Sequence, residues 1–206
     1  AIVLKPADTL ASKPDAENGD SVTARFKALF APETIAVVGA STTSSIIANT
    51  FIRRMKAYGY AGEIYPIHPK AEEIEGLKAY PSLGETPKPV DYAYIATRAD
   101  RIPPLIGAAK GNVKFAQVIS SGFREVEEGI ALEADLLAQA REAGCRLIGP
   151  NCLGIYSPRG GVTFPVDAPK ELGHVGVVTQ SGGLGTDIIK RGQWRGLRFS
   201  GFVTAG

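Results

Sequence analysis

Thr34-Ile35-Ala36-Val37-Val38-Gly39-Ala40-Ser41-Thr42-Thr43-Ser44-Ser45 is the stretch on which the reading of this chain turns. Its first five residues form a short apolar run rich in β-branched side chains, the pattern of a strand buried on both faces. Gly39-Ala40-Ser41 then bends the backbone on small residues. Ile47, Phe51, Met55 and Tyr58 follow at spacings of four, four and three, which predicts an amphipathic helix. Strand, small-residue turn and helix make the first βα unit of a parallel sheet. In a doubly wound fold such a turn brings backbone N–H groups and small hydroxyls to a helix N-terminus, where anions are favoured. The same unit opens parallel sheets of every kind, so this stretch alone leaves the ligand open.

Outward from that unit, the chain alternates. Residues 63–67, 90–96, 114–119 and 146–148 have strand character, and helical patterns lie near 101–110 and 125–144. Pro103-Pro104 fits only the first turn of the former helix. In the latter, Ile130, Ala134, Leu137 and Ala140 form an apolar stripe, and Gly144 suits the C′ position. Before the first strand, residues 21–30 predict a short helix opened by Ser21, with Phe26, Leu29 and Phe30 on one face. Residues 1–20 are polar and aperiodic, and are expected to be a disordered tail. The alternation implies a right-handed, mostly parallel sheet with helices on both faces, spanning 21–165. A second unit begins near Gly173. Residues 174–178 are its strand, 179–185 a small-residue turn, 186–195 a helix and 199–204 another strand. One βαβ unit cannot cover its own sheet, so 166–206 is expected to be the truncated start of a second domain.

Composition narrows the function classes. With 206 residues, 44% apolar and 21% charged, and a net charge of +2, the chain offers no electrostatic case for nucleic acid. No apolar run approaches the roughly 20 residues of a membrane span. The N-terminal AIVLKPADTL lacks a signal peptide's basic start and long apolar core. Two cysteines, Cys145 and Cys152, are too few for a disulfide framework, and a cytoplasmic location is the expectation. A nicotinamide site calls for G-x-G-x-x-G at the first turn and an acidic residue after the second strand. Here the turn carries Gly39-Ala40-Ser41-Thr42-Thr43-Ser44, and Lys70 stands near the acidic position. A lysine there suits a phosphate better than a ribose diol, which disfavours NAD and favours a phosphorylated adenosine.

The strand ends taken together are VVGAS at 37–41, YPIHPK at 65–70, YIATRAD at 94–100, ISSGF at 119–123, GPNCLGI at 149–155 and VVTQSGGLG at 177–185. In this order they resemble the NDP-forming acyl-CoA synthetases, which include succinyl-CoA ligase α subunits and ADP-forming acetate–CoA ligases. The resemblance covers about Phe26 to Gly206. It implies a Rossmann-like CoA-binding domain followed by the first βαβ unit of a flavodoxin-like ligase domain. It implies CoA contacts from Gly39, Ala40, Ser41, Thr42, Thr43, Ser44 and Lys70. Ala96, Thr97, Ser121 and Gly122 would border adenine and pantetheine, and Asn151 and Cys152 the thiol end. Ser181, Gly182 and Gly183 would present a helix N-terminus to the phosphate of an active-site histidine.

The resemblance further implies ligation of a small carboxylic acid to CoA through acyl-phosphate and phosphohistidine steps. ATP or ADP and Mg would sit on a nucleotide-grasp domain or partner subunit, and association into oligomers is a family tendency. Three departures stand out. Thr43-Ser44-Ser45-Ile46 replaces the family's usual basic residue and glycine, His68 replaces its asparagine, and neither His68 nor His174 matches the phosphorylated histidine, which is expected beyond residue 206. No catalytic residue and no metal site are assigned within the chain.

Each residue also has a plainer reading. His68 suits a hydrogen-bonding loop residue, His174 a structural one, and Cys152 a pocket lining rather than a nucleophile. Ser181 lies in Q-S-G-G, which is not the G-x-S-x-G elbow of hydrolases. Arg53, Arg54 and Lys56 suit the solvated face of the first helix. Two rival functions remain in view: a non-catalytic module that senses CoA or acyl-CoA within a regulatory protein, and a dinucleotide sensor or reductase.

Overall fold

The computed structural model describes residues 19–206, so the expected tail lies outside the described residues except for its last two. Those two begin helix α1 (Gly19–Phe30), which places Ser21 within the helix rather than at its start.

Five parallel strands form the main sheet: β1 (Thr34–Val38), β2 (Glu63–Ile67), β5 (Val90–Ile95), β6 (Val113–Val118) and β7 (Arg146–Ile148). Their spatial order is β2-β1-β5-β6-β7. All five residues of β1 are buried, as its apolar run requires. Its side chains alternate between two cores. Ile35 and Val37 join Leu29 of α1 and Phe51, Ile52 and Met55 of helix α2 (Ile47–Tyr58). Ala36 and Val38 join Ile102 and Ile106 of helix α3 (Ile102–Ala108) and Leu136 and Ala140 of helix α4 (Ile130–Glu142). Each such aliphatic contributes about 1.5–3 kcal/mol on burial. On α2, Phe51 stacks on Tyr94 of β5 with ring centroids 3.9 Å apart. The doubly wound, parallel α/β expectation is thereby met.

Two helix faces differ from the periodicity. On α4, Ile130 and Leu137 are 53% and 41% exposed, whereas Glu133, Leu136 and Ala140 are buried. The helix packs against α3 and β7, which selects a face rotated from the apolar stripe. Glu133 tolerates burial because its carboxylate accepts the Arg124 N–H at 3.2 Å and pairs with Arg124 Nε at 3.1 Å. On α2, Ile47 is 53% exposed, and the buried face runs through Ala48, Phe51, Ile52 and Met55.

A two-residue hairpin was not anticipated: β3 (Glu73–Ile74) pairs with β4 (Leu77–Lys78). Glu75 and Gly76 turn it with φ of +52° and +72°, the mirror-image turn whose twist matches a hairpin.

The second sheet has the order β8-β10-β9, with β8 at Ile155–Tyr156, β9 at Val175–Thr179 and β10 at Phe199–Thr204. β9 and β10 run parallel, joined by helix α5 (Gly182–Trp194), which gives the expected βαβ unit. β8 pairs antiparallel to β10, so residues 155–156 already belong to this sheet. The expected division after 165 is therefore crossed by strand pairing, because Tyr156 finds its apolar cover among Phe164, Ile189, Phe199 and Phe202. The two units are stitched by Tyr58 Oη and Tyr156 Oη, each donating to the Pro169 carbonyl at 2.6 Å. No described helix is long and apolar enough to cross a membrane.

Candidate functional site

In a parallel sheet, ligands settle outside the carboxyl ends of the strands where the winding reverses. Here that point lies between β1 and β5, since the chain steps outward to β2 and then returns to the other side of β1. Val38 stands opposite Ile67 on one side and Ile95 on the other, so the three strand exits are level. Gly39 makes the crevice tight: its φ is +98°, and a Cβ there would collide with the Ala96 carbonyl oxygen. Only glycine fits this position without strain.

The turn after Gly39 is organised by two side chains. Ser41 Oγ accepts the N–H groups of Thr43 at 3.1 Å and Ser44 at 3.2 Å. The same Oγ lies 3.3 Å from Thr43 Oγ1 and 3.1 Å from Ser44 Oγ, so the three hydroxyls form one hydrogen-bonded cluster along the turn. Asn49 is 97% enclosed and works from beneath: Oδ1 accepts the Ser41 N–H at 2.9 Å, while Nδ2 donates to the Ser41 carbonyl at 2.8 Å and to Glu75 Oε1 at 2.9 Å. The N-cap of α2, Ile46, offers no side-chain acceptor, so the helix N-terminus keeps its donors. Thr42, Thr43, Ser44 and Ser45 are exposed along the rim, and the loop lines an open cleft with Asn49, Glu73, Ile74 and Glu75.

Arg53 reaches this rim from α2, donating to Ser45 Oγ and to Glu75 Oε1. Arg54 donates to the Phe164 carbonyl and Lys56 Nζ to the Glu75 carbonyl at 2.6 Å. The expected solvated face thus carries three anchored side chains, because the hairpin and the linker both fold back on α2. Arg53, in the second turn of α2, brings a guanidinium to the rim, paired there with the Glu75 carboxylate.

Lys70 is exposed beyond the exit of β2, level with the turn, but the cleft is lined on that side by Glu73–Glu75 instead. His68 shapes the bend: its Nδ1 accepts the N–H groups of Lys70 at 3.2 Å and Ala71 at 2.9 Å. That is the hydrogen-bonding loop role expected of it. His174 is exposed at the start of the second unit.

The other strand exits are tied in series. Ser120 Oγ donates to the Thr97 carbonyl at 2.6 Å, and the Asn151 N–H to the Ser120 carbonyl at 3.1 Å. Ala96 and Thr97 are half-buried, and Ser121 is exposed. Gly122 has φ of +102°, and its N–H is taken by Glu125 Oε1. Burial raises the Glu125 carboxyl, but N–H bonds from Gly122, from Glu125 itself and from Phe123 outweigh it and hold the group below its ordinary range. The Gly122 amide is therefore spent within the protein. Asn151 is exposed with φ of +54°, whereas Cys152 is buried. Burial pushes the Cys152 thiol up from the ordinary 9.0 to about 12, so it stays protonated at neutral pH, with Sγ directed at the Val118 carbonyl at 3.8 Å. Cys145, pushed up to about 12 by burial, is inert in the core.

At the second unit, Ser181 Oγ caps α5 by accepting the Leu184 N–H at 3.2 Å. Gly182 is pressed by Leu153, since a Cβ there would lie 2.5 Å from Leu153 Cγ, and Gly183 is open.

Sequence reasoning missed Asn49 and Glu75. Asn49 is the third residue of α2, so its side chain reaches back from the first helical turn to Ser41, eight residues earlier.

A family model described as CoA binding domain matches residues 33–158. Acetate–CoA ligase [ADP-forming] II of Archaeoglobus fulgidus is 35% identical over 168 residues, covering 78% of this chain and 25% of that protein. The α subunit of acetate–CoA ligase [ADP-forming] I of Pyrococcus furiosus is 39% identical over 173 residues, covering 80% of this chain and 37% of the subunit. Among solved structures, the apo dinucleotide-forming acetyl-coenzyme A synthetase 1 of Ca. Korarchaeum cryptofilum superposes with a TM-score of 0.78 at 37% identity, over 88% of this chain and 40% of that one. The chain thus spans well under half the length of these relatives.

Proposed function

This chain belongs to the CoA-binding domain family, and from that premise we propose that it is the CoA-holding portion of an ADP-forming acid–CoA ligase. One observation carries the reading: an uncapped helix N-terminus and a hydroxyl-lined turn, clamped from below by Asn49, stand at the switch point of the sheet. Such a turn fits a diphosphate, whose charge the free N–H groups and the helix dipole stabilise.

On this reading Gly39, Ala40, Ser41, Thr42, Thr43 and Ser44 hold the diphosphate, and Lys70 and Arg53 add positive charge at the rim. Ala96, Thr97, Ser121 and Gly122 border the adenosine and pantetheine, Gly122 by its backbone path because its N–H is committed to Glu125. Asn151 and Cys152 flank the thiol end, and Ser181, Gly182 and Gly183 face the phosphate exchanged in the second unit. The CoA thiol is the acyl acceptor of such a ligase, with ATP or ADP and Mg held by a nucleotide-grasp domain or partner subunit. The small carboxylic acid, the grasp partner and a cytoplasmic setting belong to the same proposal, as does the division into a first unit over 21–165 and a second over 166–206.

Calorimetric titration of the chain with CoA, dephospho-CoA and NADH tests it. CoA binds in the micromolar range, and Lys70→Ala weakens it about fivefold, the loss of one charge-assisted phosphate contact. Binding of NADH with none of CoA overturns the proposal.

A further inference from the structure

The interior strand β6 is buried on both faces and should be uniformly apolar, yet it carries Gln117 with 0% exposure. A buried amide must be satisfied, and this one is. Tyr92 Oη of β5 donates to Gln117 Oε1, and Gln117 Nε2 donates to the Cys152 carbonyl at 3.1 Å. The loop 149–154 lies directly on the amide, because a Cβ on Gly154 would collide with the Gln117 side chain.

The opposite side of the loop is gripped as well. The Gly154 N–H donates to Thr204 Oγ1 at 2.9 Å, and the Thr204 N–H donates to the Gly154 carbonyl at 2.9 Å. Between these holds, Leu153 packs against Gly182, the first residue of α5. One short loop is thus anchored to the first sheet by Gln117, to the second by Thr204, and to the second anion turn by Leu153.

Resting on the CoA reading above, we propose that Gln117 and Tyr92 are positioning residues. Through the Cys152 carbonyl they fix loop 149–154, and so the place of the thiol end of CoA relative to the N-terminus of α5. A leucine or valine would serve a purely structural core at this position. The amide supplies the Cys152 carbonyl with its donor from the first sheet, and without it the Cys152 segment loses that hold while Asn151 and Gly154 keep their own.

The test compares CoA with adenosine 3′,5′-bisphosphate, which lacks the pantetheine arm. Gln117→Met keeps the side-chain volume and removes the donor. It is expected to weaken CoA about tenfold while changing the bisphosphate by less than about twofold, since a lost buried hydrogen bond acts only on the ligand part that touches the loop. Tyr92→Phe retains the Gln117–Cys152 bond and the core, and gives the same selectivity at about threefold. If Gln117→Met fails to fold, Tyr92→Phe decides. Parallel weakening of both ligands, or no change in either, overturns the positioning role. A wild-type chain that binds the bisphosphate and CoA equally overturns it too, since the arm then makes no contact. A wild type that binds neither overturns the CoA reading itself.

Discussion

The chain contains two strand–turn–helix units of the same grammar, β1–α2 and β9–α5, and they are built differently. β1 is buried throughout, whereas Val178 in β9 is 79% exposed. At the first turn, no side chain caps α2, and the loop is held from below by Asn49. At the second, Ser181 spends its acceptor on the Leu184 N–H. A helix N-terminus can stabilise itself or stabilise an anion, and the number of unclaimed N–H groups decides the balance. The first turn is kept open at a cost offset by the buried clamp. The second spends the Leu184 N–H on its own Ser181 cap.

Glycines give the sharpest way to break this contrast. Gly39→Ala forces a Cβ into the Ala96 carbonyl at positive φ and should cost about 3 kcal/mol in urea unfolding, with loss of CoA binding. Gly183→Ala has open space and no positive φ, and should leave stability within about 0.5 kcal/mol. Equal costs would erase the distinction between the turns.

Next come the two supporting side chains. Asn49→Ala strands the Ser41 N–H and should cost about 2 kcal/mol while weakening CoA about tenfold. Ser181→Ala removes an ordinary cap, costs about 1 kcal/mol and leaves CoA affinity unchanged. A change in CoA affinity for Ser181→Ala as large as for Asn49→Ala would show that the cap shapes the first site too.

The effect seen only above pH 9 belongs to the loop between the units. The Cys152 thiol is raised from 9.0 to about 12 by burial, so the folded state holds its proton where the unfolded state has released it. Its contribution is constant below pH 9 and is lost as pH rises from 9 towards 12. At pH 10 the loss is about 1.4 kcal/mol, and unfolding midpoints of Cys152→Ala should decline less steeply than wild type between pH 8 and 10. Parallel declines would mean the thiol is not enclosed between the units.

Much of the fold was legible because it is local. The run 34–38 had the composition of a doubly buried strand, Pro103-Pro104 could only open a helix, and Gly144 stands at its expected left-handed position after α4. The α4 stripe misled because apolar spacing gives a period and not an azimuth. Packing against α3 chose Leu136 over Leu137, and Arg124 made burial of Glu133 tolerable. The hairpin at 73–78 escaped because strands of two residues carry no alternation, and its Glu75-Gly76 turn lacks the asparagine or aspartate that marks such turns. At the site, the turn residues were visible as small and hydroxylated, but their clamp was not.

By itself the sequence determined the alternation of strands and helices, the position of the small-residue turns and the absence of a glycine triad for a dinucleotide. These depend on neighbours a few residues apart, within which periodicity and backbone preference are encoded. Only the tertiary structure decided which polar residues face inward. Asn49 meets Glu75 across 26 residues and Gln117 meets Cys152 across 35. These two side chains are buried because a distant element delivers a partner, and that delivery is a property of the packed sheet rather than of any local stretch.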